Sequence, residues 1–221
     1  MARSTGPFTE ECIEGALAPW AARPGRRARQ RVELLRSAAA EILLLRGHPV
    51  LPFLLATPAI GWLLERHRSA GLGLVEGALA AGGGWLGWTL VEYLMHRFLF
   101  HLPGRNDVLK VVGFVVHGHH HVAPLSPSRL AATPLQLASV AALLWGAWSL
   151  ALGPLAPAAM AGSLFGYLAY EAAHYQAPHG RPTSRWLRAL RDHHLKHHYE
   201  RSDRRFGISS PLWDVVFRTL A

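Results

Sequence analysis

Cysteine is almost missing from this chain. Cys12 is the one cysteine among 221 residues, which excludes an internal disulfide framework and a cysteine-based zinc cluster. Charge is scarce too, at 17% of residues, below the quarter usual for soluble domains. The shortage falls on the acids, 14 of them against 23 Lys and Arg. No G-x-S-x-G turn occurs, and Cys12 sits in a polar N-terminal tail, so nucleophilic catalysis is not expected. No short apolar core with a small-residue cleavage site follows the first charges, so no signal peptide is expected. Glycine (21) and proline (15) are plentiful but follow no period, which excludes a collagen-like chain. What is present is one domain's length of sequence, half of it hydrophobic, and 14 histidines, as many as all the acids.

The basic excess suits either nucleic acid or the cytoplasmic face of a membrane protein, and its distribution decides. Residues 1–48 hold eight Lys and Arg, residues 96–129 four, and residues 176–221 nine. Between them run four apolar stretches, Pro49–Leu64, Gly71–Met95, Leu130–Leu152 and Pro154–Tyr170. The second and third exceed the roughly 20 residues of a helical span, and the other two are marginal. With four spans and both ends inside, only Arg66 and Arg68 lie outside, which obeys the positive-inside rule. Trp85, Trp88, Trp145 and Trp148 are amphipathic aromatics of the kind enriched at bilayer interfaces. The short turns near 69–71 and 153–154 predict two antiparallel hairpins. The expected fold is therefore all-α and membrane-integral, with a basic segment 1–48 and a membrane domain 49–221. An amphipathic helix is expected over Arg26–Arg46, solvated or lying on lipid headgroups. Nucleic acid is not an expected partner, because the cations are split between the termini without interleaved aromatics.

The histidines carry the chemistry. His96, His101, His117, His120 and His121 recur as His174, His179, His194, His197 and His198, offset by 78, 78, 77, 77 and 77. The pattern H-x4-H followed by H-x2-H-H thus occurs twice, each time at the end of a predicted hairpin. On a helix, positions i, i+3 and i+4 share a face. His117, His120 and His121 are therefore grouped, as are His194, His197 and His198, while His119 points away and His193 is ambiguous. The H-x4-H pairs lie about 140° apart on an ideal helix, so they serve different metals or need local unwinding, which Pro178 can supply. Ten imidazoles suffice for two metals, and imidazole suits iron, zinc, copper or nickel. Glu92 and Glu171, four and three residues before His96 and His174, are placed to accept a ligand's remaining N–H. His48 and His67 read as ordinary surface or core residues. The run Gly82–Gly84 lies in an apolar stretch and suits close helix packing.

Five stretches resemble the fatty acid hydroxylase and sterol desaturase superfamily: Trp88–His101, His117–His121, Gly166–Tyr175, His193–Tyr199 and Phe206–Phe217. The resemblance implies four spans capped by a cytoplasmic, histidine-rich helical region. It implies a di-iron centre on His96, His101, His117, His120, His121, His174, His194, His197 and His198. Where the family usually has a further histidine this chain has Pro178, followed by His179; either His179 is the tenth ligand, with local rearrangement, or one metal lacks a ligand. The implied reaction is O2-dependent hydroxylation of a lipid drawn from the bilayer, most simply a fatty acyl chain. A carotenoid or sterol-type hydroxylase or desaturase is the alternative. No haem-binding His-Pro-Gly-Gly motif is present, so electrons are expected from a separate ferredoxin or cytochrome b5 type protein. The contrasting class is a non-catalytic metal-binding or transport protein. Transport favours acids or ligands at mid-membrane, and Glu76 alone lies within a predicted span.

Overall fold

The computed structural model describes residues 7–17, 33–101 and 104–221. Two short helices, α1 (Glu10–Leu17) and α2 (Ala38–Leu45), precede the long α3 (Leu51–Ser69) and α4 (Leu74–Leu94). A π-helical turn, π1 (Met95–Phe100), continues α4. Then come α5 (Asp107–Gly113), π2 (Phe114–Gly118) and α6 (His119–Val122). The second long pair is α7 (Pro134–Leu152) and α8 (Ala156–His179), and α9 (Arg185–Tyr199) and α10 (Leu212–Val216) follow. The described chain is thus all-helical, apart from an isolated bridge between Phe8 and Leu35.

Local sequence explains the helix ends. Ser37, Asn106 and Ser184 cap α2, α5 and α9 with their side-chain oxygens, and Thr133 with Gln136 forms a capping box on α7. Gly153, at φ +51°, ends α7 in a conformation that side chains disfavour. The long helices run past the apolar stretches that predicted them. Helix α3 continues through Glu65, Arg66 and Arg68, with Arg68 paired to Glu65 at 2.7 Å, so those charges occupy its last turn rather than a loop. Helix α8 continues to His179 and so carries two of the histidines itself.

Helix α8 is the hub, packing against α4, α3 and α7. The consecutive α3 and α4 pack on α8 rather than extensively on each other, a departure from the simple hairpin expected. Near their turn, buried His67 approaches the Gly73 carbonyl at 3.3 Å. Small residues explain the close packing of α4 on α8. A Cβ at Gly84 would collide with the Ala159 carbonyl, and one at Gly162 with the Ala81 carbonyl. Gly162→Ala should therefore cost about 2 kcal/mol through overpacking. Gly82, which faces open space, should accept alanine freely. Melting temperatures of the two purified variants check this.

No residue of α7 is buried, and Leu143 and Leu150 are 76% and 92% exposed. An apolar helix with no buried face needs apolar surroundings. By length and composition, the stretch Pro127–His179 holds a helix able to cross a membrane.

The N-terminal residues are not a detached tail where they are described. Buried Cys12 and Ala16 of α1 pack with Leu34, Phe114 and Ala123. Glu41 of α2 accepts from the Leu35 amide at 2.9 Å and pairs with the buried Arg129. Of the helix expected over Arg26–Arg46, the part before residue 33 lies outside the described residues, and the rest forms only α2.

Candidate metal centre

Helix winding sets the directions of the histidines. His101 N–H donates to the His96 carbonyl at 3.2 Å, an i to i+5 bond. The wider π turn brings the two rings to one side, with centroids 5.1 Å apart, where an α-helix would hold them about 140° apart. His117 sits in π2, His120 and His121 on α6, and His194, His197 and His198 on α9.

Nine of the ten predicted ligands converge in two groups. The first holds His96, His101, His117, His121 and His197, and the second His120, His174, His194 and His198. Within each group the candidate ligand atoms lie within 4.8 Å of one another. The groups are not the two sequence sets. Each H-x2-H-H box lends its middle histidine, His120 or His197, to the other group. Geometry on α9 gives the reason: at 100° per residue, His198 lies 40° to one side of His194 and His197 60° to the other.

The imidazoles are held by backbone carbonyls. His96 Nδ1 meets the Phe206 carbonyl and His197 Nδ1 the Arg204 carbonyl, each at 2.6 Å. A bond to a carbonyl places the proton on Nδ1 and leaves Nε2 a free lone pair. Glu92 and Glu171 do not take this role, a correction to the expectation from spacing. Glu92 accepts the Ile208 and Ser209 amides at 2.6 and 2.8 Å and the Ser209 hydroxyl at 2.6 Å, tying α4 to the C-terminal loop. Glu171 accepts the Ala132 amide at 3.2 Å, ahead of α7.

Sequence reasoning missed Asp214. Wholly buried, it accepts the Phe206 and Gly207 amides at 2.9 and 2.8 Å and the Thr219 hydroxyl at 2.7 Å, and it meets His193 Nε2 at 3.1 Å. Burial alone would raise its pKa, but these donors hold it below the usual value. It therefore fixes the loop whose carbonyls orient His96 and His197. Asp214 lies in the stretch Phe206–Phe217, and a lone acid in an apolar tail was the available signal.

The tenth predicted ligand stands apart. His179 is exposed at the end of α8, its ring 4.7 Å from Tyr175, and it belongs to neither group. Pro178 does not unwind α8, so the ideal 140° offset from His174 persists. His119 belongs to neither group and is buried, its Nδ1 3.0 Å from the Phe114 carbonyl. His193 pairs with Asp214.

The donor set suits a metal. Nε2 atoms face each other at 3.1 Å for His96–His117, 3.1 Å for His101–His197 and 2.9 Å for His120–His174. Two ligands at right angles on one ion, with bonds of about 2.1 Å, stand about 3 Å apart. His121, His194 and His198 have both ring nitrogens buried without a hydrogen-bond partner, an arrangement costly unless an ion is coordinated. Burial pushes His101 down to about 3 and His197 to about 4, keeping them in the neutral form that binds metal. A cavity of about 450 Å³ opens on His117, His120 and His174 and is otherwise mainly apolar.

The fold and site together define a helical, membrane-type protein with a paired polyhistidine centre facing an apolar cavity. The model of the fatty acid hydroxylase family matches residues 82–219, and the chain belongs to that family. It is an oxidoreductase that hydroxylates a lipid. A dihydroceramide fatty acyl 2-hydroxylase of Arabidopsis thaliana is 38% identical over 74% of this chain and 69% of its own length. The fatty acid 2-hydroxylase of Rattus norvegicus is 44% identical, over 62% of this chain and 38% of its own. A solved structure of full-length scs7p, with only the hydroxylase domain visible, superposes with a TM-score of 0.71 at 29% identity, covering 84% of this chain and 70% of that one.

Proposed function

We propose that the two histidine groups hold two iron ions and that the protein oxidises a fatty acyl chain at carbon 2. One atom of O2 enters the C–H bond. The other leaves as water with two protons and two electrons, the electrons delivered by a separate ferredoxin or cytochrome b5 type protein. Iron bound there supplies the redox chemistry that activates O2, which zinc cannot. The similarity to fatty acyl 2-hydroxylases supports carbon 2.

The residues divide the remaining work. His117, from the first group, and His120 and His174, from the second, all border the cavity, so the oxidised carbon can lie against both groups. That shared border is the observation that carries the reading. The carbonyls of Phe206 and Arg204 orient His96 and His197. Walls from α4, α7 and α8 exclude water and align the chain. In this reading α3, α4, α7 and α8 span the membrane, with both termini and the histidines cytoplasmic. The distribution of Lys and Arg supports that orientation.

Untargeted lipid mass spectrometry on cells expressing the chain tests the reading. Lipids that gain one oxygen at carbon 2, with the intact chain only, are expected. Loss of two hydrogens instead would make it a desaturase, and no change with iron bound would favour a metal-binding protein.

A further inference from the structure

A second cavity, of about 330 Å³, adjoins the first. Leu137, Ala141 and Leu164 line both. The partition between the cavities is therefore made by residues of α7 and α8. Beyond it the second cavity is lined by Ala59 of α3, Trp145 of α7 and Met160 of α8, among other apolar residues.

The geometry gives the partition a meaning for an acyl chain. Leu164 lies ten residues before His174 on the same helix, about 15 Å along its axis. An extended chain advances roughly 1.2 Å per bond, so about a dozen bonds reach from the histidines to Leu164. A longer chain must leave the first cavity sideways or pass the partition. Leu164, 7% exposed and bordered by cavity on two sides, packs with Ala56 and Leu63 of α3 and Met160 and Ala161 of α8, contacts it exchanges for those of an entering chain when it changes rotamer.

We propose that the second cavity is the subsite for the methyl end of acyl chains longer than about a dozen carbons, and that Leu164 is the gate to it. The proposal rests on the acyl-hydroxylase reading above and adds a determinant of chain length. The gate contributes no catalytic group; it sets how far down the chain apolar contact extends.

Cells expressing the full chain, or its Leu164→Ala or Ala59→Phe variant, are supplied with fatty acids of about twelve carbons and of twice that length. The hydroxylated products are read by mass spectrometry in the free-acid and N-acyl sphingoid pools, which separates the two possible carriers of the chain. Leu164→Ala should raise the long-to-short product ratio about tenfold, the scale of a small apolar contact in a pocket. Ala59→Phe, which fills the far cavity from α3, should lower that ratio by a similar factor and carries the test if Leu164→Ala fails to fold. Ratios within about twofold of the unmodified chain in a folded, active Ala59→Phe would overturn the proposal. An unmodified chain that yields no hydroxylated lipid of either length would overturn the oxygenase reading, and this inference with it.

Discussion

His197→Ala is expected to abolish lipid hydroxylation and to lower bound iron by about one ion per chain, whereas His179→Ala keeps both. The contrast follows from placement. His197 is buried, its Nδ1 fixed 2.6 Å from the Arg204 carbonyl and its Nε2 3.1 Å from His101 Nε2. It is the one member of the first group that comes from α9. Its loss therefore removes a ligand and unlinks α9 from the group. A two-ion site acts as a unit, and removing one member of such a unit typically loses most of the activity. His179 stands outside both groups with its ring against Tyr175. Iron per chain, by elemental analysis of the two purified variants, decides; equal iron in both would overturn the ligand assignment.

Glu92→Ala has the second largest expected effect, on folding as much as on activity. It strips the acceptor from two amides and a hydroxyl in a buried loop. Each donor left unsatisfied costs about 1–3 kcal/mol, so the sum, on the order of 4 kcal/mol, is a large share of a domain's stability. The loop also carries the Phe206 carbonyl that holds His96, so surviving protein should bind less iron. Glu92→Gln keeps one acceptor oxygen and should recover part of the loss. Melting temperature and iron content, measured on both variants, separate a structural loss from a purely chemical one. Full stability of Glu92→Ala would show that the loop is held by other contacts.

Much of the fold was legible in the sequence. The apolar stretches became the long helices α3, α4, α7 and α8. The extent of α3 and α8 was less legible. Charged and polar residues tolerate a helical backbone, so composition located the apolar part of each helix and not its end. The packing of α4 on α8 arises from the close approaches at Gly84 and Gly162, and that of α3 on α8 from Ala56 and Leu63 against Met160 and Leu164, all between residues far apart in the chain.

The sequence by itself marked ten histidines at two matched spacings, in an apolar surround, as the candidate ligands. Only the tertiary structure decided how they are shared. The π turn at Met95–Phe100 admits His101, while the regular α8 leaves His179 outside. The 100° step of α9 directs His197 away from His194 and His198, into the other group. The carboxylates that spacing favoured hold backbone amides instead, and His197 and His96 lean on the carbonyls of Arg204 and Phe206. Every residue has a carbonyl, so no residue type announces that role; it exists only where the folded chain brings a carbonyl against a ring.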